Sequence, residues 1–342
     1  MPSLKLDPEW ESIWQTMANG PKPVIKDVFD VRNAANAALA AANAQLLVTE
    51  EIKETKHTIP SVDGTDIDVH QFVPSAAEAS SPPQRAIVWA FGGGMVGGSI
   101  DIWRNAIKEL AQRTATQIFA VHYRLAPEHP APAAVEDFYS AAKWLQLHAA
   151  DFNVDPKRVV FHGKSAGGGI AAGAALMARD KGLPHPPAAM SLTYPMLDDR
   201  TVIPADHPVQ PYLIFTSQSN DLGWKALLGK ERGKTRPPRD VALRGEVLIS
   251  RNLEERTDEN VSIYGAPARA KDLSGLPDTF IDVGGLDLFV DEDIEFARRL
   301  IAAGVPVELH VYPGVPHGFD HVRHLHVAQA AISSQTKFLT KY

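Results

Sequence analysis

The sequence predicts an α/β fold: a mostly parallel central sheet flanked by helices and carrying a helical cap. Three observations predict it. Short apolar runs alternate with amphipathic helical patterns from about residue 86 onward. Glycine clusters follow two of those runs directly. Two stretches, 1–56 and 200–262, stand outside the alternation. Strands alternating with helices at this spacing imply a parallel sheet wrapped by helices.

Along the chain, residues 1–56 read as a helical segment. Trp10, Ile13, Trp14 and Met17 fall on one helix face. After the break at 20–23, the alanine-rich run Val31–Val48, interspersed with Asn33, Asn36 and Asn43, reads as a helix that docks and helps cover a pocket. Thr58–Pro60 and Ile67–Val73 flank Asp63-Gly64, a hairpin turn signal. Ser75–Gln84 is rich in Ser, Ala and Pro and reads as an exposed loop. Strands are expected at 86–91, 118–121, 159–161, 190–193, 279–283 and 307–311. Helices are expected near 103–115, 133–149, 166–180 and 291–303. Residues 200–262, with charge clusters at Lys230–Arg239 and Asn252–Glu259, read as a helical cap insertion in a core spanning 57–342.

The 342 residues suit one core of roughly 250 residues plus an embellishment. Hydrophobic residues make up 44% and charged residues 22%, enough apolar material for a full core. The net charge of −7 offers no basic field for nucleic acid. With no cysteine, disulfides, thiolate zinc sites and a cysteine nucleophile are excluded. No metal-ligand spacing appears, and His324 and His326 read as surface residues. The N-terminus lacks a basic start before an apolar run, and no stretch reaches the roughly 18 apolar residues of a membrane span. A soluble, cytoplasmic protein without cofactor or metal is the expectation.

The chemistry concentrates in three places. Gly163-Lys164-Ser165-Ala166-Gly167 follows the apolar run Val159-Val160-Phe161 and opens a helix. This is the strand–turn–helix setting of a nucleophile elbow, whose sharp turn needs small flanking residues. The alternative is a glycine-rich helix start with a chance serine. Phe91-Gly92-Gly93-Gly94 follows the first strand of the alternation. The backbone amides of this glycine run, with that of Ala166 as the third donor, suit an oxyanion hole. Gly92, Gly94 and Gly97 also spell the dinucleotide pattern, but the next strand ends in His122-Tyr123-Arg124 without the required acid. A phosphate-binding loop around Gly163-Lys164-Ser165 fails because Arg158 stands where its first glycine is required.

The third place is downstream. Asp287 follows the strand 279–283 and His317 the strand 307–311, both in loops where open α/β sheets meet ligands. His317 is the candidate base for Ser165, and Asp287 its orienting acid. Asp287 as a helix cap and His317 as a turn residue are the alternatives. Asp291, Glu292 and Asp293 read as first-turn helix acids. Asp282 lies inside a strand, a poor place for the acid, and His310 reads as the other face of its strand.

Together these motifs resemble the hormone-sensitive-lipase-like branch of the α/β hydrolases. Gly163–Gly168 resembles its G-D-S-A-G-G elbow, and Phe91–Gly94 its H-G-G-G motif. Tyr123–Pro130 resembles its Y-R-L-A-P-E-H-x stretch, Asp287–Asp291 its D-P-L-x-D, and His317-Gly318-Phe319 its H-G-F. The resemblance spans about 57–342. It implies the α/β-hydrolase fold and an esterase acting on short or medium carboxylic esters. The triad would be Ser165, Asp287 and His317, with oxyanion donors at Gly93, Gly94 and Ala166. Members of this branch often dimerise, leaving room for a homodimer.

Two departures stand out. Phe91 replaces the motif's histidine, so the loop loses a polar brace. Lys164 replaces the usual acid beside the nucleophile. It reads as a partly exposed structural residue, as a salt-bridge partner, or as a cation favouring anionic substrates. Two other function classes remain: a lyase, dehydratase or cyclase on the same scaffold, and a catalytically silent ligand receptor.

Overall fold

The computed structural model describes residues 4–20, 22–78, 82–229 and 261–342. The chain opens with α1 (Pro8–Asn19), where the Asp7 side chain caps the Glu9 amide. The next helix, α2 (Val28–Ala44), starts in a capping box formed by Asp27 and Asp30. The helical expectation for 1–56 overruns at its end. Strand β1 (Ile52–Pro60) begins inside it and pairs antiparallel with β2 (Asp66–Pro74). β-branched Ile52, Thr55, Thr58 and Ile59 favour that pleated pairing. Asp63-Gly64 forms the expected turn, with Gly64 at φ 78 and the Thr65 amide donating to Asp63 Oδ1. Of the expected loop 75–84, Ser75–Glu78 forms one short helix, α3.

The alternation then runs β3 (Gln84–Ala90), α4 (Ile100–Thr114), β4 (Gln117–His122), α5 (Ala133–Leu147), β5 (Val154–Lys164), α6 (Ala166–Lys181), β6 (Ala189–Thr193). From the cap region, α7 (Ser217–Leu228) lies among the described residues; the two charge clusters of that region lie outside them. The chain closes with β7 (Asp278–Gly284), α8 (Val290–Ala302), β8 (Val307–Tyr312) and α9 (His326–Leu339). Helix α9 was not expected. Its interior mixes weaker helix formers, Ser333, Ser334 and Thr336, with alanines, and its inward residues Ala328, Ala331, Gln335, Phe338 and Leu339 are buried by packing. His324 and His326 are exposed, as expected.

The described strands form one sheet in the order β1-β2-β4-β3-β5-β6-β7-β8. From β4 to β8 every pairing is parallel, and only the hairpin side is antiparallel. The central strands carry buried apolar runs, Ala86–Ala90 in β3 and Val159–Phe161 in β5, because helices cover both faces. Parallel strands all end at one edge. The loops after β3, β5, β7 and β8 therefore meet there, which brings residues 91–98, 165, 287 and 317 together. Among the described residues, no helix is long and apolar enough to cross a membrane.

The core also carries a titrating liability. His162, fully buried in β5, bonds through Nδ1 to the Ser191 carbonyl, and burial pushes its pKa down to about 3. A folded-state value below the unfolded 6.5 means stability held above that pH and lost as pH falls toward the folded value. His162→Asn keeps an N–H donor but cannot titrate. It is expected to flatten the fall of the denaturant midpoint by about one proton's slope between about pH 6.5 and 4.

Candidate active site

The elbow sits where β5 ends and α6 begins. A Cβ on Gly163 would run into the Gly167 carbonyl, and one on Gly167 into the Ala90 carbonyl. The turn closes only with glycine at both flanks. Ser165 itself is held at φ 53, ψ −121, a left-sided backbone that non-glycine residues adopt at a cost of about 1–3 kcal/mol. Its amide donates to the Thr193 carbonyl (2.8 Å), and its carbonyl accepts from Met196 (3.1 Å). The strain is thus bound into the neighbouring strand, and the hydroxyl is left facing the loops.

His317 Nε2 lies 3.0 Å from Ser165 Oγ, and its Nδ1 lies 2.7 Å from Asp287 Oδ2. The expected three residues, spread over 152 positions, therefore meet in one hydrogen-bonded row. Asp287 is buried, and its Oδ1 accepts the Phe289 amide at 3.0 Å, so it also serves the turn before α8. The imidazole is walled by Tyr194 (ring centroids 4.5 Å), Phe289 (5.3 Å) and Phe215 (6.2 Å). Such a row lets the histidine take the serine proton while the carboxylate fixes its orientation.

The glycine loop runs beside the serine: a Cβ on Gly92 would lie 3.2 Å from Ser165 Cβ. The Gly92 carbonyl accepts from Trp103 Nε1 (3.1 Å), and the Gly93 carbonyl accepts from Val96 (3.2 Å) and Gly97 (2.9 Å). In a trans peptide the N–H points opposite the C=O. The Gly93 and Gly94 amides are therefore turned away from those partners. The Ala166 amide is the first of α6, and first-turn amides have no acceptor within the helix. Phe91 stacks on Tyr123 (centroids 4.0 Å, 19°), whose hydroxyl donates to the Phe91 carbonyl at 2.7 Å. Tyr123 thus braces this end of the loop without a histidine at position 91.

Lys164 corrects one expectation. It is buried, not partly exposed, and its ammonium pairs with Asp320. Asp320 also accepts the Tyr194 hydroxyl at 2.6 Å. The salt-bridge reading of Lys164 is therefore the one its contacts support; neutralised and buried, it offers little field to an anionic substrate. Glu292 and Asp293 are likewise buried, not plain first-turn acids. Glu292 accepts the Leu197 and Asp198 amides (2.7 and 3.1 Å), and burial raises both carboxyls well above their ordinary range. Asp282 is buried within β7, with burial pushing its pKa up to about 8, and lies outside the row. Arg124 and Glu128, which the sequence offers only as members of the Tyr123–Pro130 motif, and Asp320, which sequence reasoning did not single out, support the site. Arg124 pairs with Asp137 (2.6 Å) and Asp63 (2.8 Å), anchoring the Tyr123–Pro130 stretch. Among the described residues no group of His, Cys, Asp or Glu is placed to hold a metal.

Residues 87–321 match the protein family described by the α/β-hydrolase fold. The chain belongs to this family, in the hormone-sensitive-lipase-like branch that its motifs resemble. It is similar to Esterase LipI of Mycobacterium tuberculosis, at 34% identity over 257 residues, 75% of this chain and 70% of that protein. It is also similar to Carboxylesterase NlhH of the same organism, at 31% identity over 318 residues, 87% and 88% of the two chains. Among solved structures, Bacterial Heroin Esterase superposes with a TM-score of 0.81 at 31% identity, covering 98% of each chain.

Proposed function

We propose that the protein is a serine carboxylesterase that cleaves small or medium carboxylic esters through an acyl-enzyme. The observation that carries this reading is the Ser165–His317–Asp287 row, at 3.0 and 2.7 Å, on a strained elbow. Relatives named as esterases support the ester as substrate. Ser165 Oγ attacks the ester carbonyl carbon as His317 Nε2 takes its proton. The carbonyl oxygen, now anionic, rests on the Gly93, Gly94 and Ala166 amides. His317 then protonates the departing alkoxide. Water, deprotonated by the same imidazole, attacks the acyl-enzyme and releases the acid and free Ser165.

The test is hydrolysis of p-nitrophenyl esters from acetate to longer chains, by wild type and Ser165→Ala. Turnover that vanishes in the variant is the expected result. Turnover unaffected by Ser165→Ala, or none from folded wild type across the series, would overturn the reading.

Phe215 sets the expected chain-length limit. A Cβ on Gly94 would meet its ring at 2.9 Å, and the ring also faces His317 and Phe289. A ring set beside both the glycine loop and the histidine is expected to border the acyl chain. Phe215→Ala is expected to raise kcat/KM for octanoate relative to acetate about tenfold, the scale of a few methylenes in an apolar pocket. An unchanged ratio would remove Phe215 from the acyl wall.

A further inference from the structure

The N-terminal helix α2 reaches the glycine loop through polar groups, not only through apolar packing. Asn36 Oδ1 accepts the Gly98 amide at 2.7 Å. One turn earlier on the same face, Arg32 Nε donates to the Val96 carbonyl at 2.5 Å. Its Nη2 donates to the Ala126 carbonyl at 2.8 Å, and the guanidinium forks onto Glu128 at 2.8 and 2.6 Å. Ala126 in turn donates to the Met95 carbonyl at 3.1 Å. Loop residues 95, 96 and 98 are thus tied, directly or through Ala126, to two side chains of α2. Val96 and Gly97 are the residues whose amides hold the Gly93 carbonyl, and that carbonyl sets which way the Gly94 amide points.

We infer that Arg32 and Asn36 are positioning residues for the oxyanion hole, so that α2 completes the catalytic loop as well as covering it. This rests on the esterase reading above. The loop's near end is held by Tyr123 and Trp103, both from the core. Its far end has its side-chain ties to α2. An oxyanion hole works because its donors are fixed before charge develops, and a donor free to drift loses that advantage. Releasing the far end lets the Gly93 carbonyl, and with it the Gly94 amide, rotate. The cost falls on the transition state, where the oxygen carries charge, and little on ground-state binding.

The test uses the full chain and p-nitrophenyl acetate. Asn36→Leu keeps the approximate shape and removes the acceptor. It is expected to lower kcat about tenfold with KM within about twofold, the scale of one hydrogen bond expressed in the transition state. Asn36→Asp retains an acceptor oxygen, with Arg32 one turn away to offset its charge, and is expected to recover most of that loss. Gly97→Ala approaches the same bond from the loop. Its methyl would stand 2.8 Å from Asn36 Oδ1, and a fall in kcat like that of Asn36→Leu is expected. Unfolding midpoints of each variant separate slower chemistry from lost fold, with rates read well below the lowest midpoint. A boronic acid that forms a tetrahedral adduct with serine should bind Asn36→Leu about tenfold more weakly. Wild-type kcat in a folded Asn36→Leu, or equal losses in Asn36→Leu and Asn36→Asp, overturns the inference while leaving Ser165-dependent turnover intact. Wild type without Ser165-dependent turnover overturns the esterase reading itself, and the inference falls with it.

Discussion

Ser165→Ala is expected to lower ester turnover by about four to six orders of magnitude while leaving the fold in place. The size follows from what the hydroxyl does. The His317 imidazole, 3.0 Å away, has no other nucleophile to activate except water, which is not held by a covalent tether to the elbow. Removing the oxygen leaves the glycine-loop amides and the pocket, which together retain a residual rate above the reaction in water. Stability should change little. The backbone bonds that hold the strained turn, to Thr193 and Met196, are made by main-chain atoms that alanine keeps. His317→Ala should cost a similar factor, and the double variant little more than either alone, because the two act as one unit. Steady-state and burst kinetics on one p-nitrophenyl ester check all three. Additive losses would mean that the serine and histidine work separately, contrary to their geometry.

Lys164→Met is expected to destabilise the fold by about 3–5 kcal/mol, read from denaturant midpoints. Both partners of the Lys164–Asp320 pair are buried, with side chains 7% and 5% exposed. Burial works against the Asp320 carboxylate, yet Lys164 and Arg323 hold it charged, well below its ordinary pKa. Without the lysine, Arg323 at 3.5 Å is the cation left paired with Asp320 among the described residues, and it is already engaged with Glu109 at 2.7 Å. A buried carboxylate left so poorly paired carries most of the cost. The double variant Lys164→Met/Asp320→Asn removes both charges and should be markedly more stable than Lys164→Met alone. Lys164→Asp, the branch's usual residue, would set a second carboxylate against Asp320 and should be worse than Lys164→Met. The sign in pH is set by the carboxylate. Its depressed value contributes stability at neutral pH that is lost as pH falls through the folded value. If Lys164→Met unfolds at the wild-type midpoint, the pair contributes nothing to the fold.

Legibility in the sequence divides along the range of the forces involved. The elbow was readable because its constraints are local. Gly163 and Gly167 clear carbonyls within a single turn and at the adjoining strand end, and the apolar run before them marks a strand covered on both faces. Asp287 and His317 were readable because parallel topology sends every strand's C-terminal end to one edge, so position after a strand implies position in the site. What lay hidden depends on side chains meeting across long stretches of chain. Lys164 and Asp320 are 156 positions apart, and neither shows by its type that it will be buried with the other. Glu292 sits among acids that suit an exposed helix start, and only the approach of the Leu197–Asp198 amides draws it inside. Helix α9 carries good helix formers such as Ala328, Ala330 and Ala331 but also the Ser333-Ser334 pair, and it is settled by the surface on which its inward residues are buried. The Asn36 run reads as a docking helix from its alanines, while the bond to Gly98, 62 residues away, exists only once α2 is seated.

By itself the sequence determined the α/β class, the tight glycine turn around Ser165 and the order in which Ser165, Asp287 and His317 follow their strands. Each of these follows from steric limits and hydrophobic periods within a few residues of chain. The tertiary structure alone decided which charges are buried in pairs, which acids lie inside, and what steadies the glycine loop. Those outcomes depend on desolvation and hydrogen-bond geometry between distant segments, which no local pattern encodes.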